Sequence, residues 1–144
     1  MSAEKNKAIQ SHIFEEILNK GNYSIMDEVI APNYVYHGPP AMPIQGTGPE
    51  SLKQLLTMFR AAIPDFHCTV EDMIAEGDKV ATRYTIRGTH TGEAMGIKPT
   101  GNRVEMKALV ISRFKDGKEA EVWGLGDLLT MYQQLGVIPP LQQG

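Results

Sequence analysis

Hydrophobic positions along the chain change their spacing once, from helical to alternating. Between Ala3 and Leu18 the apolar residues Ala8, Ile9, Ile13 and Ile17 recur at the spacing of one helix face, and the glycine of "NKGN" (19–22) ends that helix. A second, short helix is expected next, with Ser24 as its cap, Asp27 and Glu28 in its first turns and Pro32 as its stop. "NYVYHGPPAMPIQG" opens as a short strand and dissolves into prolines and glycines, the composition of a loop or lid. In "GPESLKQLLTMFRAAIPD" the residues Leu52, Leu55, Leu56, Phe59 and Ala62 share one face, Pro49 sits near the first turn and Pro64 lies just past the end. That amphipathic helix must lie on something flat and apolar, which a sheet provides.

From Phe66 onward the period is two. Val70 and Ile74, then Val80, Thr82, Tyr84 and Ile86, alternate with polar neighbours across a hairpin signal at Glu76-Gly77-Asp78. "NRVEMKALVISRFKDGKEAEVWG" predicts two more strands joined at Lys115-Asp116-Gly117. The glycine-rich "GTHTGEAMGIKPTGN" between the hairpins is a long excursion, and a last short helix from Leu128 to Leu135 stops at Gly136. Helices followed by a run of antiparallel strands predict an α+β fold in which the helices cover one face of a curved sheet and leave a concave apolar pocket.

Composition narrows the partners. A chain of 144 residues with 42% hydrophobic and 22% charged residues fits one domain spanning 1–144. The net charge of -3 and a pI near 5.8, with scattered Lys and Arg, favour neither nucleic acid nor anionic lipid. Cys68 is the only cysteine, so an intramolecular disulfide and a paired-cysteine metal site are excluded. The first residues carry no apolar core of a signal peptide, and no run reaches the roughly 18 apolar residues of a membrane span, so a cytoplasmic protein is expected. The four histidines at 12, 37, 67 and 90 have no ligand spacing, and no metal is expected.

Several stretches resemble a known family. "NKGNYSIMDEVIAPNYVYHGPP", "GPESLKQLLTMFRAAIPDFHCTVEDMIAEGDKVATRYTIRGTHTGEAMGIKPTGNRV", "DGKEAEVW" and "DLLTMYQQLGVIP" are similar to the SnoaL-like polyketide (ester) cyclases, within the nuclear transport factor 2-like, ketosteroid-isomerase-like superfamily. The likeness runs from about Asn6 to Pro139. It implies a cone of about six strands, mostly antiparallel, wrapped on three to four helices, and a homodimer. It also implies no metal or organic cofactor, and an intramolecular aldol closure in which an aspartate near the end of the last strand is the general acid/base.

Aligned on its DGK turn and its QLG end, the chain holds Gly124 where the resemblance implies that aspartate, and Val110 where it implies a pocket histidine. Asp127 is the nearest carboxylate; it either caps the helix starting at Leu128 or reaches the pocket mouth past Gly124 and Gly126. His90 in "RGTHTGE" matches a recurrent family histidine and either handles protons or ties the loop together. His37 stands where a strand turns into the expected lid, as a rim residue or an exposed one. Asp127, His90 and His37 are therefore the candidate catalytic residues. Met106, Ala108, Val110 and Ser112 alternate to one side as a pocket wall, joined by Tyr36, Gly124 and Arg83, the last being an interior counter-ion or a surface charge. Two functions follow: acid/base chemistry on a small hydrophobic carbonyl compound, or a binding protein that has lost the family's acid/base residues.

Overall fold

The computed structural model describes residues 2–39, 44, 46–93 and 96–139 of the chain. Part of the expected lid, residues 40–43 and 45, lies outside the described residues. Helix α1 (Ala3–His12) is capped by Ser2, whose Oγ accepts from Lys5 N–H at 3.2 Å. It continues without a break as a π-helix, Ile13–Asn19, whose wider turn carries Ile13, Phe14 and Ile17 to one buried side. A 3₁₀ turn (Tyr23–Ile25) leads into the single-turn helix α2 (Met26–Val29). Ser24 lies within that 3₁₀ turn, and the residue at the N-terminus of α2 is Ile25. Pro32 does not stop α2, because strand β1 (Ile30–His37) has already begun; proline is tolerated there because β1 is an edge strand.

After α3 (Pro49–Ala62) come β2 (His67–Glu76), β3 (Lys79–Thr89), β4 (Arg103–Lys115), β5 (Lys118–Gly126) and α4 (Leu128–Gln134). Five strands form one sheet in the order β1-β5-β4-β3-β2, where about six were expected. The β2-β3, β3-β4 and β4-β5 pairs are antiparallel, and β1 lies parallel to β5, so the sheet is mixed. The β4-β5 hairpin is as tight as its sequence demands: Asp116 and Gly117 both take positive φ, at 53° and 78°, as a two-residue turn between right-twisted strands requires.

One face of the sheet is buried under α1 with its π continuation and α3. On β4 this face is Val104, Met106, Ala108, Val110, Ser112 and Phe114, each flanked by more exposed residues. On β2 the expected alternation slips. A register shift between Val70 and Asp72 turns Met73 and Ala75 inward and leaves Ile74 66% exposed. The free edge of β2 is pinned from the last π turn: Asn19 donates from Nδ2 to Cys68 O at 2.9 Å, and its Oδ1 accepts from Cys68 N–H at 2.7 Å. One side chain thus imitates a neighbouring strand at the point where the helix must stay seated on the sheet.

Replacing Asn19 by Ala leaves both Cys68 backbone groups without partners in a partly buried place, so chemical denaturation of N19A is expected to show a loss of about 1–3 kcal/mol. A change below about 0.5 kcal/mol, the ordinary scatter of surface substitutions, would mean that the edge of β2 is held by other contacts.

Candidate functional site

The helices and the inner face of the sheet enclose a cavity of about 80 Å³. Its walls are mainly apolar: Ile13, Phe14, Leu52, Leu56, Ile86, Met106, Ala108 and Val110. Tyr36, Pro39, Gly124, Gly126 and Leu128, lining residues that are only partly buried, mark the mouth. Polar atoms enter this space from Gln10 of α1, Tyr34 and Tyr36 of β1, Cys68 of β2, Tyr84 of β3 and Glu119 of β5.

Glu119 is the only carboxylate in the lining, and a β-bulge puts it there. Along β5 the inward residues are Val122, Gly124 and Gly126, and strict alternation would send residue 119 outward with Glu121 and Trp123. Register runs from Val110↔Gly124 to Arg113↔Glu121, then skips to Phe114↔Glu119, so Ala120 is the extra residue and Glu119 joins the inner face opposite Phe114. Glu119 is 3% exposed. Burial among apolar groups disfavours its ionised form and pushes its pKa up to about 7. The Ser112 hydroxyl on the neighbouring strand opposes that rise in part, although its buried Oγ closes no well-aligned hydrogen bond.

The phenols around this carboxyl shift the same way. Tyr34 is raised well above the usual range, by burial first and then by the Glu119 charge; Tyr84 rises for burial first, with Cys68, Tyr36 and Glu119 adding to it. Tyr36 rises through burial. All three therefore remain hydrogen-bond donors across the physiological range. The Cys68 thiol, pushed up to about 12 by burial, stays protonated and is no nucleophile. What the cavity assembles is one carboxyl that can exchange a proton near neutrality and three phenols that stay protonated and can donate a hydrogen bond.

The residues singled out from the sequence divide between the cavity and its exterior. Tyr36, Met106, Ala108, Val110 and Gly124 line the cavity. Ser112 is buried on the same face, beside Glu119. Arg83 is not brought in: it pairs with Leu109 on the outer face of the sheet and is exposed, because Thr82 and Tyr84 take the inward positions of β3. His37 also lies outside, stacked on Trp123 with ring centroids 5.4 Å apart and paired with Glu121 at 2.7 Å. Asp127 is exposed and caps α4, accepting from Thr130 N–H at 3.1 Å and from Thr130 Oγ1 at 2.6 Å; those bonds hold its carboxyl below the usual range. His90 is 2% exposed, and its Nδ1 accepts the Thr100 N–H at 3.2 Å and lies 3.0 Å from Thr100 Oγ1. Its backbone N–H donates to Asn102 O and its carbonyl accepts from Gly101 N–H, closing the glycine-rich excursion. It borders a separate, smaller cavity with Ile97, Met131 and Leu135. Among the described residues no three His, Cys, Asp or Glu side chains gather as a metal site, and no helix is long and apolar enough to cross a membrane.

Glu119 escapes a reading by alternation, yet one signal was available. Counting back from the Asp116-Gly117 turn pairs residue 114 with 119, whereas counting from the far end of the hairpin sends 119 outward; the one-residue disagreement is the bulge.

A model of SnoaL-like polyketide cyclases matches residues 9–135. The aklanonic acid methyl ester cyclase DauD of Streptomyces sp. (strain C5) is 27% identical over 122 residues, 83% of this chain and 72% of that protein. Among solved structures, IdmH from Streptomyces antibioticus, a proposed polyketide cyclase, superposes with a TM-score of 0.80 at 37% identity, covering 91% of this chain and 98% of that one. AclR from Streptomyces galilaeus, a proposed hydroxylase, superposes with a TM-score of 0.83 at 28% identity over 99% of this chain and 87% of its own.

The Glu119 environment has a signature in stability. A carboxyl whose folded pKa lies above its unfolded value favours folding most when protonated, so its contribution is lost as pH rises from about 4.5 to about 7. A rise of that size, at about 1.4 kcal/mol per unit, is on the order of 3 kcal/mol. Glu119→Gln, a neutral isostere, is therefore expected to unfold at nearly the wild-type denaturant concentration at pH 4.5 and at a clearly higher one at pH 8. Parallel curves for the two proteins across that range would contradict a buried carboxyl with a raised pKa.

Proposed function

The chain belongs to the SnoaL-like polyketide cyclase family, and on that premise we propose that it catalyses enolisation and intramolecular aldol closure of a small hydrophobic carbonyl compound, with Glu119 as acid/base. The observation that carries this reading is a lone carboxyl, tuned near neutrality, in a mainly apolar cavity that also holds three phenols. The ionised carboxylate takes a proton from the carbon next to the substrate carbonyl. The electron pair moves onto the carbonyl oxygen, and the resulting enolate carbon forms a bond to a second carbonyl carbon of the same molecule. The oxygen of that second carbonyl takes the proton back from Glu119, so the ring closes with no net change in atoms and no redox partner. Apolar walls favour this sequence, because they keep water from quenching the enolate.

A second reading, a ligand-binding protein without turnover, is favoured by the silent positions Gly124 and Val110. Proton exchange separates the two. In D₂O, wild-type protein is expected to catalyse loss of the methyl proton signals of acetophenone, with a rate that rises with pH through about 7 as Glu119 ionises. Glu119→Gln is expected to slow this roughly 10²- to 10⁴-fold while acetophenone still binds. Binding without exchange in the wild type would support the carrier reading and end the catalytic one.

We propose further that the protein is a cytoplasmic homodimer. Its single cysteine, buried and unpaired, suits a reducing compartment. The outer face of the sheet supports the dimer: Leu109 and Ile111 of β4 pair with Leu125 and Trp123 of β5, Ile74 lies across the sheet on β2, and each of these side chains is 39–70% exposed. A second copy of the same face would cover them about a two-fold axis. Sedimentation of the wild type is expected to give twice the 15.9 kDa chain mass, and Leu109→Glu with Ile111→Glu to give the monomer. A wild-type monomer at tens of micromolar would exclude the dimer.

A further inference from the structure

Tyr36 occupies a slot built by two glycines. A β-carbon at Gly124 would stand 3.2 Å from the Tyr36 hydroxyl oxygen and 3.3 Å from its ring, and one at Gly38 would come within 2.4 Å of the ring and 2.9 Å of the oxygen. Neither glycine has the left-handed backbone that only glycine takes easily, so the space occupied by the phenol, and not main-chain conformation, accounts for both. The slot is at the mouth end of the cavity, where Gly124, Leu125 and Gly126 line it together with the Tyr36 ring. The Tyr36 hydroxyl has no hydrogen-bond partner among the described residues. Tyr34 and Tyr84 differ: both stand in the field of Glu119, whereas burial alone acts on Tyr36.

We infer that the Tyr36 hydroxyl is the donor that receives the substrate's carbonyl oxygen and holds the negative charge that develops there. The donor is supplied across the β1-β5 seam because position 124 carries no side chain of its own. This rests on the reading of the cavity as a carbonyl acid/base site and assigns the second half of its chemistry. A phenol already seated, partly buried and without a partner among the described residues stabilises an oxyanion with little reorganisation at the moment of reaction. It also fixes which carbonyl is enolised: the oxygen must reach the mouth-side slot while the neighbouring carbon faces the interior, where Glu119 lies. The ligand class that follows is an uncharged ketone or ester with an apolar body, its carbonyl entering last.

Infrared spectroscopy of carbonyl-¹³C acetophenone bound to the protein reads the hydrogen bond directly, and does so without turnover. In the wild type the carbonyl band is expected to move to lower wavenumber than in an apolar solvent, and Glu119→Gln is expected to keep that shift while losing proton exchange. Tyr36→Phe removes only the hydroxyl; it is expected to bind acetophenone, lose the shift and slow exchange roughly 10²- to 10³-fold. Gly124→Ala keeps the hydroxyl but crowds it, and is expected to weaken the shift. If Tyr36→Phe retains the wild-type band, another donor holds the oxygen and this inference falls while the role of Glu119 stands. If the wild type binds no acetophenone, or binds it with an unshifted band, the carbonyl reading of the cavity falls and this inference with it.

Discussion

One extra residue in β5 sets the character of the interior. The bulge at Ala120 turns a glutamate that alternation would give to solvent into the buried interior. A carboxyl there has two low-energy solutions, to be neutral or to be paired with a cation, and no Lys or Arg is among the residues lining the cavity. Glu119 is therefore held near its own titration point, and the tyrosines around it are pushed away from theirs by the same burial. A structural core has no use for such a group: an apolar residue of similar size would fill the space at lower free energy. Its presence in a cavity with an open mouth is the kind of local inconsistency that marks a site.

The fold was legible because its signals are periodic and local. Helix α3 announces itself by Leu52, Leu55, Leu56 and Phe59, β4 by strict alternation from Val104 to Phe114, and the β4-β5 turn by Asp116-Gly117. The parallel pairing of β1 with β5 was not legible, since it joins the beginning and end of the chain and depends on no nearby residue. The inner wall at Met106, Ala108 and Val110 follows from period two alone. The site's chemistry was less accessible, because both decisive features are departures from period. Bulges at Glu71 and Ala120 change which residues face inward, and alternation cannot report its own interruption.

Histidines and the aspartate at 127 attracted the sequence reading because their chemistry is conspicuous, yet each is held by local bonding. Asp127 meets the free N–H groups at the start of α4, His90 satisfies the backbone of a long glycine-rich loop, and His37 is held between Glu121 and the ring of Trp123. These are the duties of polar side chains where backbone or strand edges would otherwise go unpaired. Among the described residues Tyr36 has no hydrogen-bond partner for its hydroxyl and Glu119 has only the poorly aligned Ser112 hydroxyl, and that distinguishes a group available to a ligand from one already in use.

The similarity to both a proposed cyclase and a proposed hydroxylase shows how little of the chemistry resides in the cone itself. The sheet, its helices and the apolar walls supply a dry space; a few inward positions decide what occurs in it. Position 124 illustrates the exchange. A side chain there would project into the cavity mouth from β5, and its absence leaves that place to a phenol reaching over from β1. Because β1 and β5 are parallel neighbours, Tyr36 stands opposite Val122, one inward position before Gly124, and its ring spans the gap along the strands. The polar group at the mouth is thus a phenol, which donates without ionising near neutrality. In the proposed reaction the proton acceptor lies deeper in the cavity, where the bulge turns Glu119 inward. Gly124, Tyr36 and the bulge are on this account one coupled arrangement, in which the absence of a side chain at Gly124 leaves room for Tyr36 while the bulge turns Glu119 toward the same cavity.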